Sequence, residues 1–205
     1  MYKKYIKRIL DILLSFTGIV ALLLPMGLIA LAIKIDSRGP ILFKQKRIGI
    51  NKSTFYIFKF RTMYANTPKD VPTAELTDPE KWITRTGKIL RKTSLDELPQ
   101  LFNILRGEMS IIGPRPALWN QYYLIEERDK YNANDCLPGL TGWAQINGRD
   151  ELKTEDKARL DGEYVNRITF SFDCICFIKT IKSVLKSEGF IEGSCEEFSQ
   201  NIEKK

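Results

Sequence analysis

A nearly uncharged apolar segment, residues 9–33, constrains the fold of this chain more than any other feature. Its sequence is ILDILLSFTGIVALLLPMGLIALAI, in which Asp11 is the single charged residue. As a straight helix rising ~1.5 Å per residue, it would extend ~38 Å and so exceed the ~30 Å hydrocarbon core of a bilayer. We therefore expect this segment to meet a membrane.

Two features favour a re-entrant segment, which enters the membrane and returns to the same side, over a helix that spans it. Pro25 lies past the middle of the segment, where proline removes a backbone hydrogen bond and kinks a helix. Basic residues flank both ends, and cations beside a membrane segment favour the cytoplasmic side. They are Lys3, Lys4, Lys7 and Arg8 before the segment and Lys34, Arg38, Lys44, Lys46 and Arg47 after it. We predict a re-entrant hairpin at residues 1–35 that bends at Pro25.

A spanning helix and a cleaved signal peptide are the two alternatives for this segment. Residues 30–32, Ala-Leu-Ala, are similar to a cleavage site. The apolar run is longer than the hydrophobic region of a usual signal peptide, however, and basic residues follow it at once. The re-entrant form is therefore the prediction that we carry forward.

The composition excludes several kinds of chemistry. The 205 residues include no histidine, which removes Ser-His-Asp and Cys-His catalysis and histidine-ligated zinc. Carboxylates, lysine, tyrosine and cysteine remain as catalytic groups. The four cysteines, at positions 136, 174, 176 and 195, are expected to be reduced thiols that pack as small hydrophobic groups. The net charge of +7 favours anionic partners such as phosphorylated molecules, nucleic acid or an anionic membrane.

The rest of the chain predicts a mainly α fold with one small β-hairpin. Two β-rich runs within residues 41–63 surround a turn at 49–52. Helices are expected at residues 83–92, 118–131, 151–165 and 170–185, and irregular loops at 111–116 and 138–149. We expect a catalytic domain at 36–190, which includes a charged, apolar-rich helix that packs on the core or lies on a membrane surface, and a loose tail at 191–205.

Asp96 and Glu97 form an acidic pair within a basic stretch of the sequence. Ser94 with Glu97 three residues later matches a capping box, and the apolar run at 98–105 continues with helical spacing. Because of Pro99, the helix either begins irregularly or starts a few residues later, and in both cases the pair is at or near its N-terminus. The structural interpretation is that both carboxylates stabilise the helix dipole. The functional interpretation is that a carboxylate attacks phosphorus or holds Mg²⁺ while nearby cations bind phosphoryl oxygens. The surrounding cations are Arg85, Lys88, Arg91, Lys92, Arg106 and Arg115.

Several long motifs in a fixed order resemble those of the small monotopic phosphoglycosyl transferases, the bacterial sugar transferases that load a phosphosugar onto polyprenol phosphate. An apolar segment with a central proline comes first. It is followed by KFRTM (59–63), RTGKILRKTSLDELPQLFNILRGEMSIIGPRP (85–116), PGLTGWAQINGR (138–149) and LDGEYV (160–165). The resemblance covers residues 3–187, and motifs of this length are far more specific than a single short pattern.

The resemblance implies a two-step reaction in which Asp96 attacks the β-phosphate of a UDP-sugar, releasing UMP and leaving a phosphosugar on the enzyme. Polyprenol (undecaprenyl) phosphate then takes the phosphosugar to give a polyprenyl diphosphate sugar. The resemblance further implies that Asp96 binds Mg²⁺ and that Glu97 completes the catalytic pair. The substrate or phosphate contacts that it implies are Lys59, Arg61, Arg91, Arg115, Arg149 and Asp161.

The same resemblance implies a re-entrant membrane helix broken at Pro25, a mainly helical catalytic domain with a β-hairpin, and surface helices at the membrane interface. The expected location is the cytosolic face of the bacterial inner membrane, with UDP-sugar, polyprenol phosphate and membrane lipid as partners and no nucleic acid. The product would begin assembly of an O-antigen, capsule, exopolysaccharide or glycoprotein. Relatives often carry serine before the central proline, whereas this chain has Leu24 and so lacks a hydroxyl that could bind the interrupted backbone.

Two alternatives to this reaction stay open at the level of sequence. A membrane-tethered binder of nucleic acid or anionic lipid would use the basic surface and would not need Asp96 and Glu97. A single-step transferase would use Asp96 only as a metal ligand. The identity of the sugar, the pathway and the oligomeric state, including a homodimer, are not encoded in any pattern that we can read.

Overall fold

The computed structural model describes residues 1–68, 76, 78–148 and 152–186, apart from the side chains of 184–186. A π-helical turn at Tyr2–Ile6 leads into a long helix, α1. The helices are α1 (Lys7–Asp36), α2 (Pro79–Trp82), α3 (Arg85–Lys92), α4 (Gln100–Arg106), α5 (Tyr122–Asp129), α6 (Trp143–Ile146), α7 (Thr154–Asn166) and α8 (Phe170–Lys186). The strands are β1 (Leu42–Ile48), β2 (Thr54–Phe60), β3 (Ser110–Ile112) and β4 (Gly139–Thr141).

Helix α1 passes through Pro25 as one continuous helix of 30 residues. The predicted break of the helix at Pro25 is therefore wrong, whereas the re-entry of this segment into the membrane stays a prediction. At ~1.5 Å per residue, α1 is about 45 Å long. Within the described residues, the stretch Tyr2–Asp36 is the one helix with the length and composition needed to cross a membrane.

One stripe of α1 packs against the rest of the chain along most of its length. Ile19 and Leu22 contact the apolar cluster that contains Leu101 and Ile104 of α4. Further along, Ile33 packs with Phe60 of β2 and Leu90 of α3. The opposite side of α1 exposes a row of large apolar side chains, namely Leu13, Leu14, Phe16, Val20, Leu23, Leu24, Leu28 and Leu31. Helix α1 is thus a side-on part of the domain with one uncovered apolar face.

Polar contacts attach both ends of α1 to the same domain. At the N-terminal end, Arg8 donates to the carbonyl oxygens of Ile104 and Leu105 at the end of α4, at 2.6 and 3.0 Å. At the C-terminal end, the carboxylate of Asp36 accepts a hydrogen bond of 2.9 Å from the backbone N–H of Thr86. The two ends of the apolar helix therefore lie against one body.

The predicted β-hairpin is confirmed. Strands β1 and β2 pair antiparallel from Leu42 opposite Phe60 to Ile48 opposite Thr54. Between the strands, Asn51 and Lys52 have positive φ angles of 52° and 58°, a conformation that asparagine tolerates better than most residues. Phe55 and Ile57 of β2 are buried against α4, so this strand connects the hairpin to the core.

The segment that carries the acidic pair differs from a capped helix. Ser94 has a left-handed backbone (φ 56°) and forms no capping hydrogen bond through its side chain, so the capping box prediction is wrong. A 3₁₀ turn, Leu95–Glu97, follows, and α4 begins at Gln100 directly after Pro99. The helix starts late because Pro99 lacks the N–H that an earlier start would need.

The glycine-rich loops contain an element that periodicity did not reveal. Strands β3 and β4 form a two-stranded parallel pair, with Ser110 opposite Gly139 and Ile112 opposite Thr141. Added Cβ atoms would have no space here, since one on Gly139 would lie 2.1 Å from the backbone nitrogen of Gly113. Each strand is only three residues long, which is too short for alternation to be recognisable in sequence.

The remaining helices were predicted with displaced ends. Helix α5 covers eight residues of the expected 118–131, and α7 begins three residues after the expected 151. The expected tail at 191–205 lies outside the described residues, as does Cys195, while Cys136, Cys174 and Cys176 are free thiols. The mainly helical class with small sheets and an N-terminal apolar helix is confirmed.

Candidate active site

The acidic pair lies on the 3₁₀ turn between α3 and α4. Asp96 is 9% exposed, and the side chain of Glu97 is 18% exposed. The turn packs against both α3 and β2. Both carboxylates therefore reach solvent only through a small part of their surface, which strengthens their interactions with nearby charges.

Two cations from distant parts of the chain bind one oxygen of Glu97. Lys59 Nζ lies 2.7 Å from Glu97 Oε1, and Arg115 Nη2 lies 3.0 Å from the same oxygen. Lys59 comes from β2 and Arg115 from the loop after β3. These contacts join three of the residues predicted for the site, and the fourth, Asp96, is the sequence neighbour of Glu97.

The electrostatic environment separates the two carboxylates. Burial alone would raise the pKa of Glu97, but Lys59 and Arg115 outweigh it and hold the pKa of Glu97 below its ordinary value. For Asp96, burial is the largest influence and raises the pKa, supported by the charge of Glu97 and opposed by Lys59, Arg91 and Arg115. Glu97 is thus the fixed anion of the pair, while Asp96 is the more basic carboxylate.

Asn103 fixes the position of Lys59 through the backbone of β2. Its side-chain oxygen accepts a hydrogen bond of 3.0 Å from the N–H of Phe58, and its side-chain nitrogen donates to the carbonyl of Tyr56 at 2.8 Å. Asn103 is fully buried in α4. Because these bonds hold the residues just before Lys59, they set the strand that presents its ammonium group to Glu97. The signal for Asn103 was a polar residue inside an apolar helical run.

The loop that carries Arg115 is held by a series of donors to its carbonyl groups. The backbone N–H groups of Gly139 and Ile48 bind the carbonyls of Pro114 and Ala117, at 2.8 and 2.9 Å. Two arginine side chains bind the carbonyls between them. Arg128 donates to Arg115 at 2.9 Å, and Arg47 donates to Pro116 at 3.0 Å. The sequence analysis did not assign a site role to Arg47 or Arg128, and no local pattern distinguishes them from other arginines.

Arg47 adds a third positive charge to this region. Burial and the neighbouring Arg115 lower its pKa to about 9, while Glu97 opposes the shift. A pKa near 9 leaves the guanidinium charged at neutral pH. Its Nε is buried without a hydrogen-bond partner in the described part of the chain. The site therefore carries an excess of positive charge, as expected where phosphorylated molecules bind.

The other predicted contacts fall into different surroundings. Arg91 lies beside the acidic pair, where its positive charge opposes the rise in the pKa of Asp96. Its Nε also donates a hydrogen bond of 3.1 Å to the hydroxyl of Thr62. Arg61 is buried and donates to the carbonyls of Ser37, Arg38 and Pro40 at 2.6–3.0 Å, so its guanidinium holds the chain that leaves α1. These three bonds use three of the five N–H donors of Arg61, and its contact with phosphate stays a prediction.

Asp161 and Arg149 complete the predicted set. Asp161 is 1% exposed and pairs with Arg128 at 2.6 Å. Burial raises the pKa of Asp161, and Arg128 opposes the shift. Its carboxylate therefore faces an arginine in the interior. Arg149 lies outside the described residues, so its contact with substrate stays a prediction.

The acidic pair offers a metal ion at most two carboxylates, so it suits an ion that needs few protein ligands. The described residues contain no group of three or more cysteine, aspartate or glutamate side chains arranged to hold a metal. Magnesium commonly uses one or two carboxylates and completes its shell with water and substrate phosphates. With Glu97 engaged by two cations, Asp96 is the carboxylate of the pair that fits this role.

Comparison with known proteins places nearly the whole chain in one group. A family model described as bacterial sugar transferase matches residues 2–187. The uncharacterized sugar transferase EpsL of Bacillus subtilis (strain 168) is 39% identical over 189 residues, which cover 90% of this chain and 89% of the relative. This relative has nearly the same extent as the present chain.

Two longer relatives carry more specific names. The undecaprenyl-phosphate glucose phosphotransferase of Komagataeibacter xylinus is 45% identical over 86% of this chain and 35% of its own length. The UDP-glucose:undecaprenyl-phosphate glucose-1-phosphate transferase of Escherichia coli (strain K12) is 39% identical over 91% of this chain and 42% of its own length. The chain thus spans well under half of these two proteins.

Proposed function

Because the chain belongs to the bacterial sugar transferase family, we propose that it transfers a sugar phosphate from a UDP-sugar to undecaprenyl phosphate. The products would be UMP and an undecaprenyl diphosphate sugar. The names of the relatives from Escherichia coli and Komagataeibacter xylinus support the lipid acceptor, and the former also supports the nucleotide sugar. The single observation in the structure that carries the proposal is the partly buried Asp96 beside a Glu97 that two cations neutralise.

In the proposed reaction, a carboxylate oxygen of Asp96 attacks the β-phosphorus of the UDP-sugar. The bond from this phosphorus to the bridging oxygen breaks, UMP leaves with that oxygen, and a sugar phosphoryl-aspartate remains. A phosphate oxygen of undecaprenyl phosphate then attacks the same phosphorus and releases the carboxylate. The raised pKa of Asp96 supports its role as the attacking group, because a more basic carboxylate is a better nucleophile once ionised.

The cations around the pair supply the electrostatic part of the mechanism. Lys59 and Arg115 are already positioned by Glu97 before substrate binds, so little reorganisation is needed when negative charge develops on the transferring phosphoryl group. Arg115 is the more accessible of the two, with a side chain that is 44% exposed against 16% for Lys59. We infer that Arg115 meets the diphosphate first and that Lys59 stabilises charge near Asp96.

Magnesium is part of the proposal, with Asp96 as its protein ligand. When bound, the ion would neutralise charge on the diphosphate of the donor. Glu97 would keep its own cations and thereby leave Asp96 as the carboxylate that faces substrate. Arg91 beside Asp96 would limit the repulsion between this carboxylate and the incoming phosphate.

We further propose that α1 enters the cytosolic leaflet of the bacterial inner membrane without crossing it. The polar contacts at both of its ends support this, since Arg8 and Asp36 attach the helix to one domain. Helix α8 offers a second apolar surface, made of Phe170, Ile175, Phe177, Ile178 and Ile181. Tyr2 and Phe170 touch edge to face at 6.0 Å, so the two surfaces are adjacent. A lipid-borne acceptor could thereby reach Asp96 from the bilayer.

The decisive experiment uses the full chain in lipid nanodiscs with undecaprenyl phosphate, Mg²⁺ and a panel of UDP-sugars that includes UDP-glucose. We expect UMP release from the wild type and its loss in Asp96→Asn, because an amide cannot attack phosphorus. Asp156→Asn, an exposed aspartate on α7, is the matched control and should retain activity. Quenched reactions without acceptor should yield protein that carries a phosphosugar on Asp96.

Two results would contradict the proposal. An active Asp96→Asn variant would remove Asp96 as the nucleophile. The Asp96→Asn variant could also lose activity while the wild-type protein yields no trapped phosphosugar. That result would instead favour a single-step transfer in which Asp96 only binds the metal.

A further inference from the structure

A buried ion pair lies directly behind the loop that carries Arg115. Arg128 of α5 and Asp161 of α7 have side chains that are 6% and 1% exposed. Both the Nε and the Nη2 of Arg128 donate to Asp161 Oδ2, at 2.9 and 2.6 Å. The polar atoms of this pair therefore face each other in the interior and are closed to solvent.

The same guanidinium also contacts the loop that carries Arg115. Arg128 Nη2 carries two N–H groups, and besides Asp161 it binds the carbonyl oxygen of Arg115 at 2.9 Å. Arg115 is therefore held twice, through its backbone by Arg128 and through its guanidinium by Glu97 at 3.0 Å. Pro114 and Pro116 on either side have no N–H groups, and the Arg115 carbonyl is the point at which the Arg128 side chain holds the residue between them.

From this geometry we propose that Arg128 and Asp161 are positioning residues for the transfer reaction, which set Arg115 against Glu97 through the Arg115 carbonyl. The inference rests on the proposed function. Asp161 fixes the orientation of the Arg128 guanidinium. Arg128 in turn holds the backbone carbonyl of Arg115. The influence of Asp161 on catalysis passes through Arg128, which differs from a direct contact with phosphate.

The chemistry of arginine explains why this residue suits the task. A planar guanidinium presents several donors in a rigid arrangement, so one side chain binds a carboxylate and a carbonyl at fixed angles. A lysine at the same place would pair with Asp161 as a point charge without that geometry. A small displacement of Arg115 matters because misplacement by about 1 Å costs about 10²-fold in rate.

The test must separate positioning from stability, since removal of one partner would leave a buried charge unpaired. The double variant Arg128→Met/Asp161→Leu replaces the pair by apolar side chains of similar size, a change that folded proteins often tolerate. We expect its thermal transition to stay near that of the wild type while kcat/KM for UMP release falls about 10²-fold. The matched control is Arg159→Met/Asp156→Leu, an exposed pair on α7, which should behave as the wild type.

A double-mutant comparison identifies the route of the effect. In an Arg115→Ala background, the change at Arg128 and Asp161 should cause no further loss of kcat/KM, because the residue that it positions is absent. Additive losses in the two backgrounds would overturn the proposal and indicate a general structural role.

A structural readout keeps the inference independent of the proposed function. In a structure of the double variant, the Arg115 Nη2 to Glu97 Oε1 contact of 3.0 Å should be lost. A folded variant that retains both this contact and wild-type kcat/KM overturns the proposal. If the wild type releases no UMP with any donor, the proposed function fails, and the position of Arg115 alone decides the inference.

If the double variant does not fold, the single variant Arg128→Lys provides a second test of the positioning role. It keeps a positive charge beside Asp161 but removes the fork that also binds the Arg115 carbonyl. We expect the same loss of kcat/KM, and full activity of this variant would contradict the role of Arg128.

Discussion

Among single residues, Asp96 and Glu97 have different roles because nearby charges and burial shift the pKa values of their carboxylates in opposite directions. Neighbours in sequence, they differ in pKa because the ion pairs of Glu97 with Lys59 and Arg115 outweigh its burial, whereas burial is the dominant influence on Asp96. Glu97 therefore organises the cations, and Asp96 is the group available for reaction. Two adjacent carboxylates thus acquire separate roles through their partners.

The decrease of UMP release at acidic pH should follow the protonation of the Asp96 carboxylate. Its pKa is raised above the ordinary value, so UMP release should fall as the pH decreases through that raised pKa and the carboxylate gains a proton. Lys59 opposes the shift, so Lys59→Met should move the acidic limb to higher pH and lower the maximal rate by about 10²-fold. Lys44→Met, on the neighbouring strand, should leave the profile unchanged.

Loss of the Glu97 ion pairs cannot account for this limb. Because the pKa of Glu97 is lowered in the folded protein, the stability that it contributes is complete above its unfolded pKa of about 4.3. This contribution is lost only as the pH falls further, through the folded pKa. A limb that coincides with unfolding, measured by circular dichroism at each pH, would contradict the assignment to Asp96.

At the scale of elements, the site depends on close backbone approaches between segments. Helix α3 packs on the end of the KFRTM segment, where Thr62 accepts a hydrogen bond of 3.0 Å from the N–H of Thr84. A Cβ on Gly87 of α3 would lie 2.0 Å from the carbonyl oxygen of Thr62. This contact sets the distance between the strand that carries Lys59 and the helix that carries Arg91.

Gly87→Ala should therefore destabilise the protein. The added methyl group meets backbone atoms that cannot rotate away, and overpacking of this kind costs about 1–3 kcal/mol, or several degrees in Tm. Gly27→Ala in α1 is the matched control because nothing lies within 4 Å of the new Cβ. There, the higher helix propensity of alanine should leave Tm unchanged or slightly raised. Equal Tm values for the two variants would refute the close contact at Thr62.

At the scale of the whole molecule, two apolar surfaces meet beside the domain. The turn before α1 touches the start of α8 through Tyr2 and Phe170, and Lys7 of α1 forms a salt bridge of 2.7 Å with Asp173 of α8. Large continuous apolar surfaces on a folded protein mark contact with a membrane or a partner. The predicted membrane segment and the apolar-rich helix predicted at residues 170–185 are therefore neighbours in space.

Both ends of α1 should lie on the same side of the membrane. We expect epitope tags before Tyr2 and within residues 38–40 to be protected together in intact cells and exposed together after the inner membrane is opened. The reason is that Arg8 and Asp36 bind one domain. Protection of only one tag would show that α1 spans the bilayer.

Helix α8 should insert its apolar side into the lipid headgroup region. In nanodiscs with brominated lipid, Phe177→Trp should show additional quenching of tryptophan fluorescence over the wild type. Tyr123→Trp, at an exposed position on α5, should not. Equal quenching of the two variants would contradict the proposed orientation of the domain.

Features that depend on contiguous residues can be read directly from the amino-acid sequence. The apolar segment, the β-hairpin, the acidic pair and the family motifs are read from local composition, alternation and fixed order, which need no knowledge of distant contacts. The sequence also predicted Lys59 and Arg115 through the resemblance. It did not reveal that both bind Glu97, nor that β3 and β4 pair in parallel.

The tertiary structure decided which charged groups meet. Glu97 is separated in sequence from Lys59 by 38 positions, and Asp161 from Arg128 by 33. Arg61, expected at the phosphate, also binds the carbonyls that follow α1, a role that its motif does not indicate. A motif conveys which side chains are present, but their partners depend on how packing orients each backbone, because a guanidinium or carboxylate binds whichever complementary group the fold brings within about 3 Å.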